Sequence, residues 1–220
     1  MAIKQSMYDI FPVNKELHFV DRARFKYDFY IYNAIMTKMI KQMENMFSNH
    51  NKLFFMRFDL HIHNLGNIED NNLKVSDFVR RFQRKVKRDY KLKRFAFTWV
   101  RERNTGLDTK PPHYHLYILI DGNKVKNATY LINFIKDIWT ETYDRGTVHI
   151  PENCYTLMPR NNYEKINDVI NRIYYLAKVP TKDSEIKHHM YSINSIIKRP
   201  PKTSPCDEKN IIKRTCIFSQ

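Results

Sequence analysis

The chain has 220 residues, 42% apolar and 14% aromatic, enough for a packed core and too many for a chain disordered throughout. Its 38 Lys and Arg exceed its 23 Asp and Glu by 15, which favours a polyanionic partner, nucleic acid first and an acidic membrane surface second. Only four glycines occur, in neither GxxxxGK[ST] nor GxGxxG, so ATP-driven chemistry through a glycine-rich loop is excluded.

No run approaches the roughly 20 apolar residues of a membrane span, and no secretory signal pattern opens the chain. Cys154, Cys206 and Cys216 are scattered without zinc-type spacing and read as reduced thiols of a cytoplasmic protein. Residues 15–47 form a long helical candidate, apolar nearly all round, that packs on the domain as an accessory helix. Residues 53–63, LFFMRFDLHIH, alternate like a half-buried strand. Residues 76–90 form a basic helix whose apolar stripe is Phe78, Val79, Phe82, Val86 and Tyr90, with Arg84, Lys85 and Arg88 placed for phosphate contact. Strands follow at 94–103 and 113–120, around the Gly- and Pro-containing loop 104–112. A helix at 128–143, one or two short strands within 147–158 and a helix at 163–178 complete the pattern. Prolines at 200, 201 and 205 mark a loosely held tail. The organisation is a helical extension over 1–50, a domain over 51–190 and a basic tail over 191–220.

The central order, β-α-β-β-α-β, is the ferredoxin-like split pattern. It predicts an α+β fold with an antiparallel sheet of about five strands, the first and third side by side in the centre and the second flanking the third. Alternation then gives each strand an apolar face: Met56, Phe58, Leu60 and Ile62; Phe95, Phe97 and Trp99; Tyr114, Leu116, Ile118 and Ile120. The other face collects Arg57, Asp59, His61, His63, Glu102, His113 and His115 towards one end.

His113-x-His115 sets two imidazoles on one side of a strand, about 6–7 Å apart at the backbone, within reach of one divalent ion. Glu102, across the hairpin, supplies an oxygen, and two His with one carboxylate leave coordination positions open for substrate. His61-x-His63, with Asp59, is the rival pair; it ranks second because Asn64 begins a loop and carries His63 past the sheet. On the helix 163–178, Ile166, Ile170, Ile173 and Ala177 share the buried stripe, with Tyr174 at its edge. Tyr175 points almost opposite, and Lys178 lies three residues on along the same face, where an ammonium stabilises a phenolate.

The stretches MRFDLH (56–61), WVRERN (99–104), PHYHLYILIDGN (112–123) and YLAKVPTK (175–182) resemble, in order and spacing, the HUH endonucleases, whose name describes the triplet His113-Tyr114-His115. Within that superfamily the chain is most similar to the inovirus-type, filamentous phage gene II-like replication initiators, also found in plasmids and integrated prophage elements. The resemblance implies a rolling-circle initiator that nicks and rejoins one strand of single-stranded or extruded origin DNA through a covalent 5′-phosphotyrosine. His113, His115 and Glu102 would hold Mg²⁺ or Mn²⁺, Tyr175 would attack the phosphate, and Lys178 would assist. Asp59 and His61 would stand just behind the ligands, and Arg57, Arg84, Lys85, Arg88 and Lys182 would contact DNA. No helicase motif is present, so unwinding and synthesis would fall to a host helicase and polymerase in the cytoplasm of a bacterial cell, with no membrane partner. The alternatives are a non-catalytic DNA-binding regulator of a plasmid or prophage, and a single-tyrosine HUH transposase.

Overall fold

The computed structural model describes residues 33–63, 68–102, 113–143, 145–177 and 191–200. In chain order the elements are α1 (Asn33–Asn49), β1 (Lys52–His61), α2 (Ile68–Asp89), β2 (Ala96–Glu102), β3 (His113–Asp121), α3 (Thr129–Thr142), β4 (Thr147–His149), β5 (Tyr155–Pro159), α4 (Tyr163–Leu176) and β6 (Tyr191–Ile193). The fold is α+β. One six-stranded sheet runs β4-β1-β3-β2-β6, with β5 also paired to β1, and every pairing is antiparallel. β1 and β3 lie side by side and β2 flanks β3, as the split pattern predicts. β4 and β5 share the outer edge of β1, β4 along Asp59–His61 and β5 along Lys52–Met56.

The first face of the sheet is apolar from end to end. Phe54, Met56, Phe58 and Leu60 of β1, with Trp99 of β2 and Leu116, Ile118 and Ile120 of β3, pack against Val75, Phe78, Phe82 and Val86 of α2 and Leu131, Ile135 and Trp139 of α3. Each such side chain, fully buried, contributes about 1.5–3 kcal/mol from the water it sheds.

The second face corrects the expectation of a polar surface. Leu53, Phe55, Ala96, Val100, Tyr117 and Leu119 lie beneath a second helical layer, with Ile35, Met36, Met39 and Met43 from α1 and Ile166, Val169, Ile170 and Ile173 from α4. The physical reason is visible in β1. Its second-face residues run Leu53, Phe55, Arg57, Asp59, His61, apolar at the start and ionisable at the end. The helices cover the apolar part, and the ionisable groups are left at one end of a sheet buried on both sides.

Three further differences have local causes. α2 begins at Ile68 rather than 76 because its first turns are anchored by polar groups: Asn71 is buried, and the Tyr114 hydroxyl donates to Asn72 Oδ1 at 2.8 Å. Residues 191–193, read from the sequence as the start of the tail, form β6, with Thr98 opposite Ile193. That edge is held by amides. Gln42 of α1 donates to the carbonyls of Phe97 and Asn194, both at 2.9 Å, while Asn194 accepts from the Phe97 N–H at 2.8 Å and donates to the Phe95 carbonyl at 2.9 Å. The Thr98 and Tyr117 hydroxyls donate to Gln42 Oε1, so this buried polar cluster is satisfied rather than costly. α1 takes up the later half of the helical candidate 15–47; its earlier half lies outside the described residues. No described helix is long and apolar enough to cross a membrane.

Candidate functional site

Strand register writes a grid on the second face. One row runs His149 (β4), Asp59 (β1), His115 (β3), Val100 (β2); the next runs Thr147, His61, His113, Glu102. Side chains directly opposite on neighbouring strands stand about 4.5–5.5 Å apart at Cβ, so these groups meet. Glu102 and His115 are buried, 4% and 5% exposed, and His113 is half-buried. Glu102 Oε2 lies 3.3 Å from His113 Nε2 and accepts a short hydrogen bond from His115 Nε2. Donor atoms of Glu102, His113 and His115 all fall within 4.8 Å of one another, and among the described residues this is the one group of three so placed. Two imidazole nitrogens and a carboxylate oxygen can hold one metal ion there. The first-ranked sequence ligands are thus brought together.

Asp59 does more than the sequence indicates. His115 Nδ1 donates to Asp59 Oδ1 at 2.7 Å and Nε2 to Glu102; once an ion replaces the Nε2 proton, the bond to Asp59 keeps the remaining proton on Nδ1 and Nε2 turned to the ion. Burial pushes Asp59 up, but the hydrogen bond and charge of His115, with Arg57, outweigh it and hold the carboxyl at about 2. Burial pushes His115 down, but the hydrogen bonds and charges of Asp59 and Glu102 outweigh it and raise its pKa. The two carboxylates therefore favour the charged imidazolium, at the place a cation would take.

Tyr175 is set by α4. The Asn162 side chain caps the helix by accepting from the Lys165 N–H at 3.0 Å, and Ile166, Val169, Ile170 and Ile173 bury the apolar stripe. Tyr174 falls into the core at 6% exposed, while Tyr175, 100° further round, is 40% exposed. The Tyr175 ring centroid lies 6.4 Å from that of His115, and the Arg57 guanidinium carbon stands 5.6 Å from the same ring. Arg57, whose Nε is 3.6 Å from Asp59 Oδ1, thus bridges the carboxylate behind the cage and the tyrosine beside it. Lys178 and Lys182 lie outside the described residues.

The remaining sequence candidates separate. His61 stacks on His113 with ring centroids 5.3 Å apart, whereas His63 lies beyond the end of β1, exposed, with Nε2 2.9 Å from Thr147 Oγ1. Arg84, Lys85 and Arg88 sit on α2, on the opposite side of the sheet from the cage. Lys85 pairs with Asp89 at 3.3 Å and covers the Phe134 ring at 4.1 Å; Arg88 Nε donates to Asp89 at 2.7 Å; Arg84 is exposed. The residue that sequence reasoning missed is His149, whose Nδ1 donates to Asp59 Oδ2 at 3.2 Å. The signal was available: the split pattern places the fourth strand against the first, so a histidine in TVHI falls beside Asp59.

A family model described as the YagK/YfjJ C-terminal domain matches residues 14–193. No curated protein and no solved structure matches the chain.

Proposed function

The chain belongs to the YagK/YfjJ C-terminal domain family, and for this member of it we propose a rolling-circle replication initiator of the HUH type, nicking and rejoining one DNA strand through Tyr175. The observation that carries the reading is an exposed tyrosine 6.4 Å, ring to ring, from an imidazole of a buried two-histidine, one-carboxylate group. His113, His115 and Glu102 would hold Mg²⁺ or Mn²⁺, which supplies Lewis-acid polarisation of a phosphoryl oxygen and neutralises its developing charge. The chain's own residues do the rest. Asp59 fixes the His115 tautomer, and Arg57 holds the Tyr175 ring and brings positive charge beside its phenol. The Tyr175 oxygen attacks phosphorus, the P–O3′ bond breaks, and the 3′ oxygen leaves as a hydroxyl once protonated. The phenol proton passes to solvent, and the Lys178 ammonium would stabilise the phenolate. Bond energy is conserved in the phosphotyrosine, so no nucleotide cofactor is needed and the step reverses for rejoining. Single-stranded or origin DNA is the substrate, with a host helicase and polymerase as partners in the bacterial cytoplasm.

The test incubates the protein with labelled single-stranded DNA, origin-like and scrambled, with Mn²⁺ or with EDTA. A denaturant-resistant protein–DNA adduct should form with Mn²⁺ and vanish in EDTA and in Tyr175→Phe. Equal behaviour of wild type and Tyr175→Phe sinks the assignment.

A second reading, a non-catalytic DNA-binding regulator, draws on the position of Arg84, Lys85 and Arg88 across the sheet from the cage. It predicts binding that weakens steeply between about 50 and 200 mM salt and ignores chelator. A single-tyrosine transposase would share the adduct chemistry and differ in the DNA joined.

A further inference from the structure

Beside the cage lies an open cleft of about 430 Å³ lined by Asp59, His61, His113, Thr147, Val148 and His149. It repeats the chemistry of its neighbour. In the grid of paired strands, His113-x-His115 on β3 with Glu102 across on β2 makes the first group. Asp59-x-His61 on β1 with His149 across on β4 makes another set of two imidazoles and one carboxylate, one strand over. We infer that Asp59, His61 and His149 form a second divalent-metal site, for a transition ion that accepts imidazole nitrogen, with its open positions turned to the cleft.

The carboxylate of Asp59 can serve both sites because its oxygens are divided. Oδ1 accepts from His115 Nδ1 at 2.7 Å and Oδ2 from His149 Nδ1 at 3.2 Å. Two donors each about 2.0–2.2 Å from a tetrahedral ion stand roughly 3.3–3.5 Å apart. An ion therefore fits between His149 Nδ1 and Asp59 Oδ2 almost without movement, displacing the proton they share to solvent. His61 is the third ligand. Its ring meets that of His149 edge to face at 6.4 Å, with the two planes at 86°, and it closes on the ion by rotating off the His113 ring on which it now stacks. Asp59 is buried on β1, but His149 on the edge strand β4 has 60% of its side chain exposed and the cleft is open, so the ion has an entry path and room for water or an anionic oxygen. On the nickase reading above, that oxygen belongs to a phosphate of the bound strand; the existence of the site does not depend on that reading.

Titration of the metal-free full chain with Co²⁺, followed by visible absorption and calorimetry without DNA, tests it. Histidines outside the described residues, among them His18, His188 and His189, can add weak equivalents, so the readout is the difference between proteins. His149→Ala and His61→Phe, the latter keeping an aromatic ring against His113, should each bind one equivalent fewer than wild type. Glu102→Gln should lose a different equivalent, and His149→Ala combined with Glu102→Gln should lose both. If the two histidine variants bind as many equivalents as wild type, the second site does not exist. Loss of the Tyr175 adduct with the one-equivalent difference intact would overturn the nickase reading and leave the site standing. An adduct formed with no such difference would do the reverse.

Discussion

The two faces of the sheet are built from the same strands and put to different uses. Beneath α2 and α3 every inward side chain of β1 is apolar: Phe54, Met56, Phe58, Leu60. On the other face β1 is apolar only as far as Phe55, then presents Arg57, Asp59 and His61. A face that is apolar throughout can hold the fold without reference to charge. A face that is half apolar can keep seven ionisable groups (Arg57, Asp59, His61, Glu102, His113, His115 and His149) at one end without losing the helices that cover the other end. The contrast predicts that stability and metal chemistry come apart under mutation.

The largest effect should come from the all-apolar face. Phe82 of α2 is 1% exposed and packs against Phe58, Phe78 and Phe95. Phe82→Ala should lower unfolding free energy by about 3–5 kcal/mol in urea titrations, from lost transfer and the cavity left behind. Metal affinity of the remaining native fraction should be unchanged within about twofold, because the cage side chains stand on the opposite face of the sheet from α2. A matching collapse in metal affinity would show the faces to be coupled.

Asp59→Asn cuts the other way. The amide keeps the size but cannot hold the His115 proton on Nδ1 as a carboxylate does, so Nε2 is no longer reserved for a ligand. Loss of such a supporting carboxylate commonly costs about 10–100-fold in metal affinity, or roughly 1.4–2.7 kcal/mol. Calorimetric Mn²⁺ titration reads this directly, and an unchanged affinity would remove Asp59 from the site.

How much of this contrast was legible in the sequence follows from the same residues. Strand order was readable because alternation is clean over the last four residues of β1 and the first four of β3, where Asp59 and His115 point to one face and Phe58 and Leu116 to the other. The covered second face was not, because Leu53 and Phe55 sit in register with Arg57 and Asp59 and were outweighed by them. The cage was readable from His113-x-His115 and Glu102. His149 was not, because β4 is only three residues long and its pairing with β1 is a tertiary fact. β6 was hidden for a different reason: it is three residues long, with only Tyr191 and Ile193 packed on the core, and the amide hydrogen bonds of Gln42 and Asn194 that fix its end leave no periodic signal.

The charged end of the second face also predicts a pH signature that the apolar face lacks. Asp59 is held at about 2, below the ordinary 3.8, so its contribution is complete above about pH 4 and is lost as pH falls through 2. That shift corresponds to about 2 kcal/mol for this buried group. His115 is raised above 6.5, so its contribution is complete below that pH and is lost as pH rises through the raised value. Metal-free protein should therefore be most stable between about pH 4 and 6.5, and its urea midpoint should decline on both sides. Saturating Mn²⁺ should abolish the alkaline decline, since the ion takes the place of the proton on His115 Nε2. An alkaline limb indifferent to metal would place the ion elsewhere.

The smallest expected change in stability carries the sharpest separation. Tyr175→Phe removes one oxygen from a ring that is 40% exposed and leaves that ring beside Arg57 and His115. Substitutions at such half-exposed positions usually stay within about 0.5 kcal/mol, so the thermal midpoint should move by no more than a few degrees. Metal affinity should hold as well, because the phenol is not among the atoms that surround the ion. The covalent adduct alone should be lost. A variant that unfolds early would assign the Tyr175 hydroxyl to the fold rather than to chemistry, and the separation between the two faces would then fail at the residue where it is most sharply drawn.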